Sequence, residues 1–117
     1  MSAINIDLTL EQGVDYSVDF TIRNTDGTPL NLTGYASSCY MRKTYGSTVA
    51  YPFNVSFINR LTGDIAISMA SSVTSGISGG RYVYDIVLTD PNSVKSRVIQ
   101  GNILVSPGVT LWQTIML

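Results

Sequence analysis

The sequence predicts an all-β domain, a two-sheet sandwich of about seven antiparallel strands with one short helical turn. Three observations predict it. Apolar residues alternate with period two along most of the chain, helical spacing is confined to one short stretch, and turn residues recur about every 10 to 15 residues. At 117 residues the chain supports one domain, expected over residues 1–108, with an apolar segment, 109–117, after it.

Each element follows from its own pattern. Ile4, Ile6, Leu8 and Leu10 alternate with Asn5, Asp7 and Thr9, a strand with one buried face, and Glu11-Gln12-Gly13 ends it. Tyr16, Val18, Phe20 and Ile22 then oppose Ser17, Asp19, Thr21 and Arg23. Asn24 to Pro29 is a turn, because Asp26-Gly27 supplies a positive φ and Pro29 has no N–H for a ladder. A third strand is expected from about Tyr35 to Arg42. Both of its faces carry apolar residues, so alternation leaves its buried face open.

Lys43 to Ala50 reads as a polar loop around Gly46. Tyr51, Phe53, Val55 and Phe57 share one face of a fourth strand, and Asn59 to Asp64 turns back into Ile65, Ile67 and Met69. Ala70 to Ile77 is the helical candidate, with Ser71 or Ser72 as its cap and Gly76 as its end. Tyr82, Tyr84, Ile86 and Leu88 alternate with Val83, Asp85 and Val87 in the strongest strand. Asp90-Pro91-Asn92-Ser93 is a hairpin turn, and Val94 to Val105 is the last long run, with Gly101 as a candidate bulge.

Composition excludes much chemistry. The chain has no histidine and one cysteine, Cys39, which removes His-based acid–base work, Ser-His-Asp and Cys-His nucleophiles, zinc sites and an intrachain disulfide. No catalytic residue, cofactor or metal is expected. Seven basic against eight acidic residues leave no basic excess, so nucleic acid is not an expected partner, and Arg42-Lys43 and Lys95-Ser96-Arg97 read as solvent-facing pairs. No apolar run is long enough for a membrane span, and the N-terminus lacks the pattern of a signal peptide. The Asn-x-Ser/Thr triplets at Asn31 and Asn54 therefore carry no glycosylation reading, and production in a cytoplasm is expected.

Carboxylates show no ligand or catalytic spacing. Asp85 and Asp90, and the group Glu11, Asp15 and Asp19, are expected in solvated or turn-capping roles, and Cys39 as a half-buried structural thiol. Only 13 % of residues are charged, about half the usual share, while Ser and Thr number 14 and 12. Thr and Ser on solvent-facing strands account for that, and so does a surface covered by neighbours in an assembly, where charge is depleted. After Pro107-Gly108 the chain runs Val109-Thr110-Leu111-Trp112-Gln113-Thr114-Ile115-Met116-Leu117. So apolar a segment either packs on its own domain or docks on another chain. Leu111, Trp112, Ile115, Met116 and Leu117 are thus candidate partner-binding residues.

Four stretches are informative in combination: Gln12-Gly13-Val14-Asp15-Tyr16, Asp26 through Gly34, Gly80-Arg81-Tyr82-Val83-Tyr84-Asp85, and Gly101 through Thr110. Their order resembles the immunoglobulin-like N-terminal domain of tailed-phage baseplate upper proteins. It is also similar to small stand-alone structural proteins of T4-like cyanophages. The resemblance covers roughly residues 10 to 110 and implies an immunoglobulin-like sandwich. It further implies a non-enzymatic adaptor, assembled in the host cytoplasm into a virion. The partners it implies are other phage structural proteins, met in many copies on a repeated tail or baseplate surface. Head (capsid) decoration is an alternative. So is a host-surface carbohydrate-binding module, for which Tyr35, Tyr40, Tyr45, Tyr51, Tyr82 and Tyr84 would furnish stacking faces.

Overall fold

A computed structural model describes residues 3–109. The chain forms a two-sheet β-sandwich. Its strands are β1 (Ile4–Asn5), β2 (Leu8–Glu11), β3 (Tyr16–Thr21), β4 (Ala36–Arg42), β5 (Ala50–Pro52), β6 (Asn54–Asn59), β7 (Asp64–Met69), β8 (Gly80–Thr89) and β9 (Lys95–Ser106). A single helical turn, α1 (Ser71–Thr74), precedes β8, and a 3-10 turn, Arg60–Thr62, joins β6 to β7. The large sheet runs β1-β9-β8-β4-β5, with β2 continuing β1 along β9; the small sheet runs β3-β7-β6. Among the described residues, no helix is long and apolar enough to cross a membrane.

The alternating runs form the core as expected. Tyr82, Tyr84, Ile86 and Leu88 of β8 are buried, and Ile65, Ile67 and Met69 of β7 face them from the small sheet. The face of β4 that the sequence leaves open is settled by Cys39 and Met41, which point inward, so that Tyr40 stands on the outer face. Side chains near the turns tie the ends together. Arg60 stacks its guanidinium 3.8 Å above the Phe57 ring and donates to the carbonyls of Leu32 (2.9 Å) and Tyr35 (2.8 Å). Gly63, which closes the 3-10 turn at φ 74°, is buried where Ile22 donates its N–H to the Gly63 carbonyl at 2.8 Å.

Four expectations are corrected in detail. First, the strands are not all antiparallel. β1 and β2 run parallel to β9, with Ile4 opposite Ile99 and Leu8 opposite Ile103. The opening run has no hairpin partner of its own and joins the sheet beside the last strand. Second, that run divides at Ile6-Asp7, and the Asp7 carboxylate substitutes for a backbone acceptor by taking the Asn102 N–H at 3.0 Å. The fourth run divides too. Tyr51 belongs to β5 in the large sheet and Val55 to β6 in the small one, so the chain changes sheets at the buried Phe53.

Third, the helix covers Ser71–Thr74 rather than Ala70 to Ile77, and neither Ser71 nor Ser72 caps it. Its cap is tertiary: Asp15 accepts the Ser71 N–H at 2.7 Å, and buried Thr74 donates its hydroxyl to the Val14 carbonyl at 2.9 Å. An Asp15→Ala change removes that cap and is expected to lower unfolding free energy by about 1 kcal/mol, read as a shifted urea midpoint at constant slope.

Fourth, the bulge in β9 is at Val98, not Gly101. Ile86 pairs with Ile99 but Val87 pairs with Arg97, which leaves Val98 as the extra residue. Gly101 has another role. It lies opposite Tyr84, and a Cβ built on it would sit 2.1 Å from the Ile6 carbonyl oxygen. That oxygen accepts the Tyr84 hydroxyl at 2.7 Å, and the Ile6 N–H donates to Gln100 at 2.9 Å. A side chain at 101 would hold the N-terminal run off the sheet.

Candidate functional site

The two flanks of the sandwich differ. On one, the chain itself passes from β5 to β6 through Phe53 and closes the gap between the sheets. On the other, β1 ends the large sheet and β3 ends the small one, and among the described residues no segment fills the gap between them. A groove of about 390 Å³ lies there, lined by Ile4, Ile6, Phe20, Ile22, Val98 and Ile99, with Arg23, Asn24 and Thr25 at its rim. Ile4 is 63 % exposed although it is the first residue of the apolar run. Local sequence explains this: alternation aims Ile4 and Ile6 toward the gap, and among the described residues the small sheet has no fourth strand to cover them.

Chemically, this flank offers apolar burial next to two strand edges that are unpaired among the described residues. That is the arrangement by which an extended segment adds a strand and seats alternate side chains. Arg23 at the rim is held by its own turn, donating to the Gly27 carbonyl at 3.1 Å. The candidate residues Leu111, Trp112, Ile115, Met116 and Leu117, and the expected boundary after residue 108, fall at or beyond the limit of the described residues. The chain approaching them is anchored: Gly108 donates its N–H to the Gln12 side chain at 3.0 Å, and the same amide donates to Ile77 at 2.9 Å.

Of the carboxylates expected in solvated or turn-capping roles, Asp15 and Asp90 accept backbone N–H groups, whereas Asp85 is ion-paired. The Thr28 hydroxyl and N–H hold the Asp26 carboxyl below its ordinary range, and the hydroxyls of Thr21 and Thr62 do the same for Asp64. Asp90 accepts from the N–H groups of Asn92 (2.9 Å) and Val94 (2.8 Å) and so builds the β8–β9 turn. Asp85 pairs with Arg97 at 3.1 Å. Cys39 is 2 % exposed, and burial, then the nearby Asp85 charge, push its thiol up to about 12. Such a thiol stays protonated and is no nucleophile at neutral pH. Among the described residues, no three carboxylate or thiol groups gather as a metal site would require.

The tyrosines separate into two sets. Tyr82 and Tyr84 are core residues, each 4 % exposed, with hydroxyls donated to the carbonyls of Ser78 (2.8 Å) and Ile6 (2.7 Å). Tyr51 packs edge-on against Tyr82, and Tyr35 lies half-buried against the core. Tyr40 and Tyr45 are exposed on the outer face of the large sheet. Sequence reasoning missed the open groove. Its signal was present in the unbroken Ile4-Ile6 alternation, but only the strand order reveals that no strand among the described residues covers them.

These features define an all-β sandwich whose arrangement fits the immunoglobulin-like class, with one flank open. No protein-family model matches the chain, and no curated protein matches it. Among solved structures it is similar to an internalin-like protein of Listeria monocytogenes, with 12 % identity and a TM-score of 0.44 over 91 % of this chain. The match covers 28 % of that protein.

Proposed function

We propose that the chain is a non-enzymatic structural protein of a tailed-phage particle. It is an adaptor that attaches to a repeated tail or baseplate surface through the open flank and the apolar segment 109–117. The observation that carries this reading is the apolar groove between β1 and β3, flanked by two strand edges that have no partner among the described residues. A free edge beside exposed isoleucine is an aggregation hazard in an isolated domain and a binding device in an assembly. The phage setting is supported by the resemblance of residues 12–16, 26–34, 80–85 and 101–110, and the low share of charged residues accords with a surface that neighbours cover. The occupant of the groove is the segment Leu111 to Leu117 of a neighbouring copy, with Trp112 as its main anchor. A head-to-tail contact of this kind uses two different surfaces and suits attachment in many copies.

Immunogold labelling of intact virions with an antibody against this chain tests the reading. Gold at the tail tip supports the baseplate adaptor, gold over the head moves the chain to capsid decoration, and no gold on virions with an accessible epitope overturns the virion assignment. The groove has its own test. Ile4→Asp, at an exposed position, is expected to reduce incorporation by about tenfold or more with the melting temperature unchanged. Unchanged incorporation would remove the groove from the attachment surface.

A further inference from the structure

We propose that the outer face of the large sheet carries a second binding site, one that takes a pyranose ring of a glycan. Three neighbouring strands supply it. Tyr40 on β4 lies directly opposite Asp85 on β8, and Asp85 lies directly opposite Gln100 on β9. The bulge at Val98 completes the row. In a regular strand Arg97 and Gln100 would face opposite sides, but the extra residue, buried next to buried Ile99, puts both on the outer face. Arg97 then binds Asp85 at 3.1 Å and donates to the Gln100 side-chain oxygen at 3.3 Å. The result is a concavity of about 250 Å³ with Tyr40 and Tyr45 on its walls.

The chemistry of these groups selects the ligand. Tyr40 is 47 % exposed and Tyr45 82 %, a large apolar area left in water on a small domain. Tyr45 is not on a free-swinging loop. Arg42 donates to the Ser47 carbonyl at 2.6 Å, and the Ser47 hydroxyl accepts the Thr44 N–H at 3.1 Å, which fixes the turn that carries it. The C–H face of a pyranose bears slight positive charge and stacks on the negative face of a tyrosine ring.

Between the rings, Asp85 spends one oxygen on Arg97. Its second oxygen and the Gln100 amide nitrogen have no hydrogen-bond partner among the described residues. An acceptor and a donor one strand apart match two adjacent hydroxyls of a sugar. The site and the β1–β3 groove lie on opposite faces of the large sheet, Arg97 and Gln100 on one side of β9 and Val98 and Ile99 on the other, so a substitution at Tyr45 probes this site alone.

The test is an array of immobilised neutral and acidic glycans probed with the full chain and with Tyr45→Ala. Tyr45 makes no contact on which folding depends, so the variant keeps its melting temperature. The expected result is binding to hexose-bearing glycans, weakened by about tenfold or more in Tyr45→Ala, the scale of losing one aromatic anchor. Gln100→Ala is expected to weaken the same glycans in the same rank order. A silent array, or binding indifferent to both substitutions, overturns the proposal. Normal incorporation of Tyr45→Ala into virions is expected in every case.

Discussion

Replacing Gly101 with alanine is expected to lower the melting temperature by about 10 °C and to loosen the N-terminal run from the sheet. The added Cβ meets the Ile6 carbonyl oxygen at 2.1 Å and its carbon at 2.8 Å, and both are backbone atoms that no rotamer change can move. To regain ordinary contact the Ile6 peptide must retreat by about an ångström. That movement breaks the Tyr84 hydroxyl bond to Ile6 and strains the Ile6–Gln100 bond. Overpacking and a buried hydroxyl left without its acceptor together cost about 3 kcal/mol, or roughly 10 °C for a domain of this size. Gly46→Ala is the control, since nothing lies within 4 Å of its added Cβ and its φ is not in the left-handed region. Equal melting temperatures for the two variants would show that the close approach of Ile6 to β9 does not hold in solution.

Alkaline pH is expected to destabilise the fold steeply, starting near pH 9. In the unfolded chain the Cys39 thiol ionises at its ordinary value, whereas in the folded chain it holds its proton up to about 12. Between those values the unfolded state binds fewer protons than the native state, so stability falls as pH rises, by about tenfold in the folding equilibrium per pH unit. Below pH 9 both states keep the proton, and Cys39 contributes no pH dependence. Burial also raises Tyr82, Tyr84 and Tyr16 from their ordinary value, and these add to the slope above about pH 10. Urea midpoints measured from pH 8 to 11 check this. Cys39→Ala costs a constant amount for the lost sulfur but flattens the slope between pH 9 and 10. At pH 8 the native thiol is expected to be inert to Ellman's reagent and to react only on unfolding. A reactive native thiol, or an identical slope in Cys39→Ala, would contradict its burial.

Alternation carried most of the core. Where one face of a strand is apolar and the other polar, as in Tyr16 to Arg23 or Tyr82 to Leu88, the buried set is legible because period two leaves one arrangement that hides it. Alternation is silent on which sheet a strand joins. Tyr51, Phe53, Val55 and Phe57 look like one strand, yet Phe53 is where the chain leaves one sheet for the other. It is equally silent on strand direction, which is why the parallel pairing of β1 and β2 with β9 was not foreseen. The helix cap failed for a related reason: Asp15 reaches Ser71 from 56 residues away, and local capping signals see only their own turn.

Gly101 was noticed as an irregularity, but its cause lies on Ile6, and the true bulge at Val98 has no glycine to mark it. The candidate sites follow the same logic. The exposed tyrosines were in view among six, but separating Tyr40 and Tyr45 from the core pair needed the inward face of β4. The open groove needed the strand order of both sheets.

The parallel seating of the N-terminal run on β9 also sets an order of events during synthesis. Ile4 pairs with Ile99, 95 residues later in the chain. At a ribosomal pace of about 5–20 residues per second, the first strand waits roughly 5 to 20 seconds for its partner to be made. For most of that interval Ile4, Ile6, Leu8 and Leu10 are outside the ribosome without the strand they pair with. A chaperone or a neighbouring nascent chain therefore meets this stretch before the protein's own last strand does. Polysomes crowded with copies of one message are where such a strand first encounters its like.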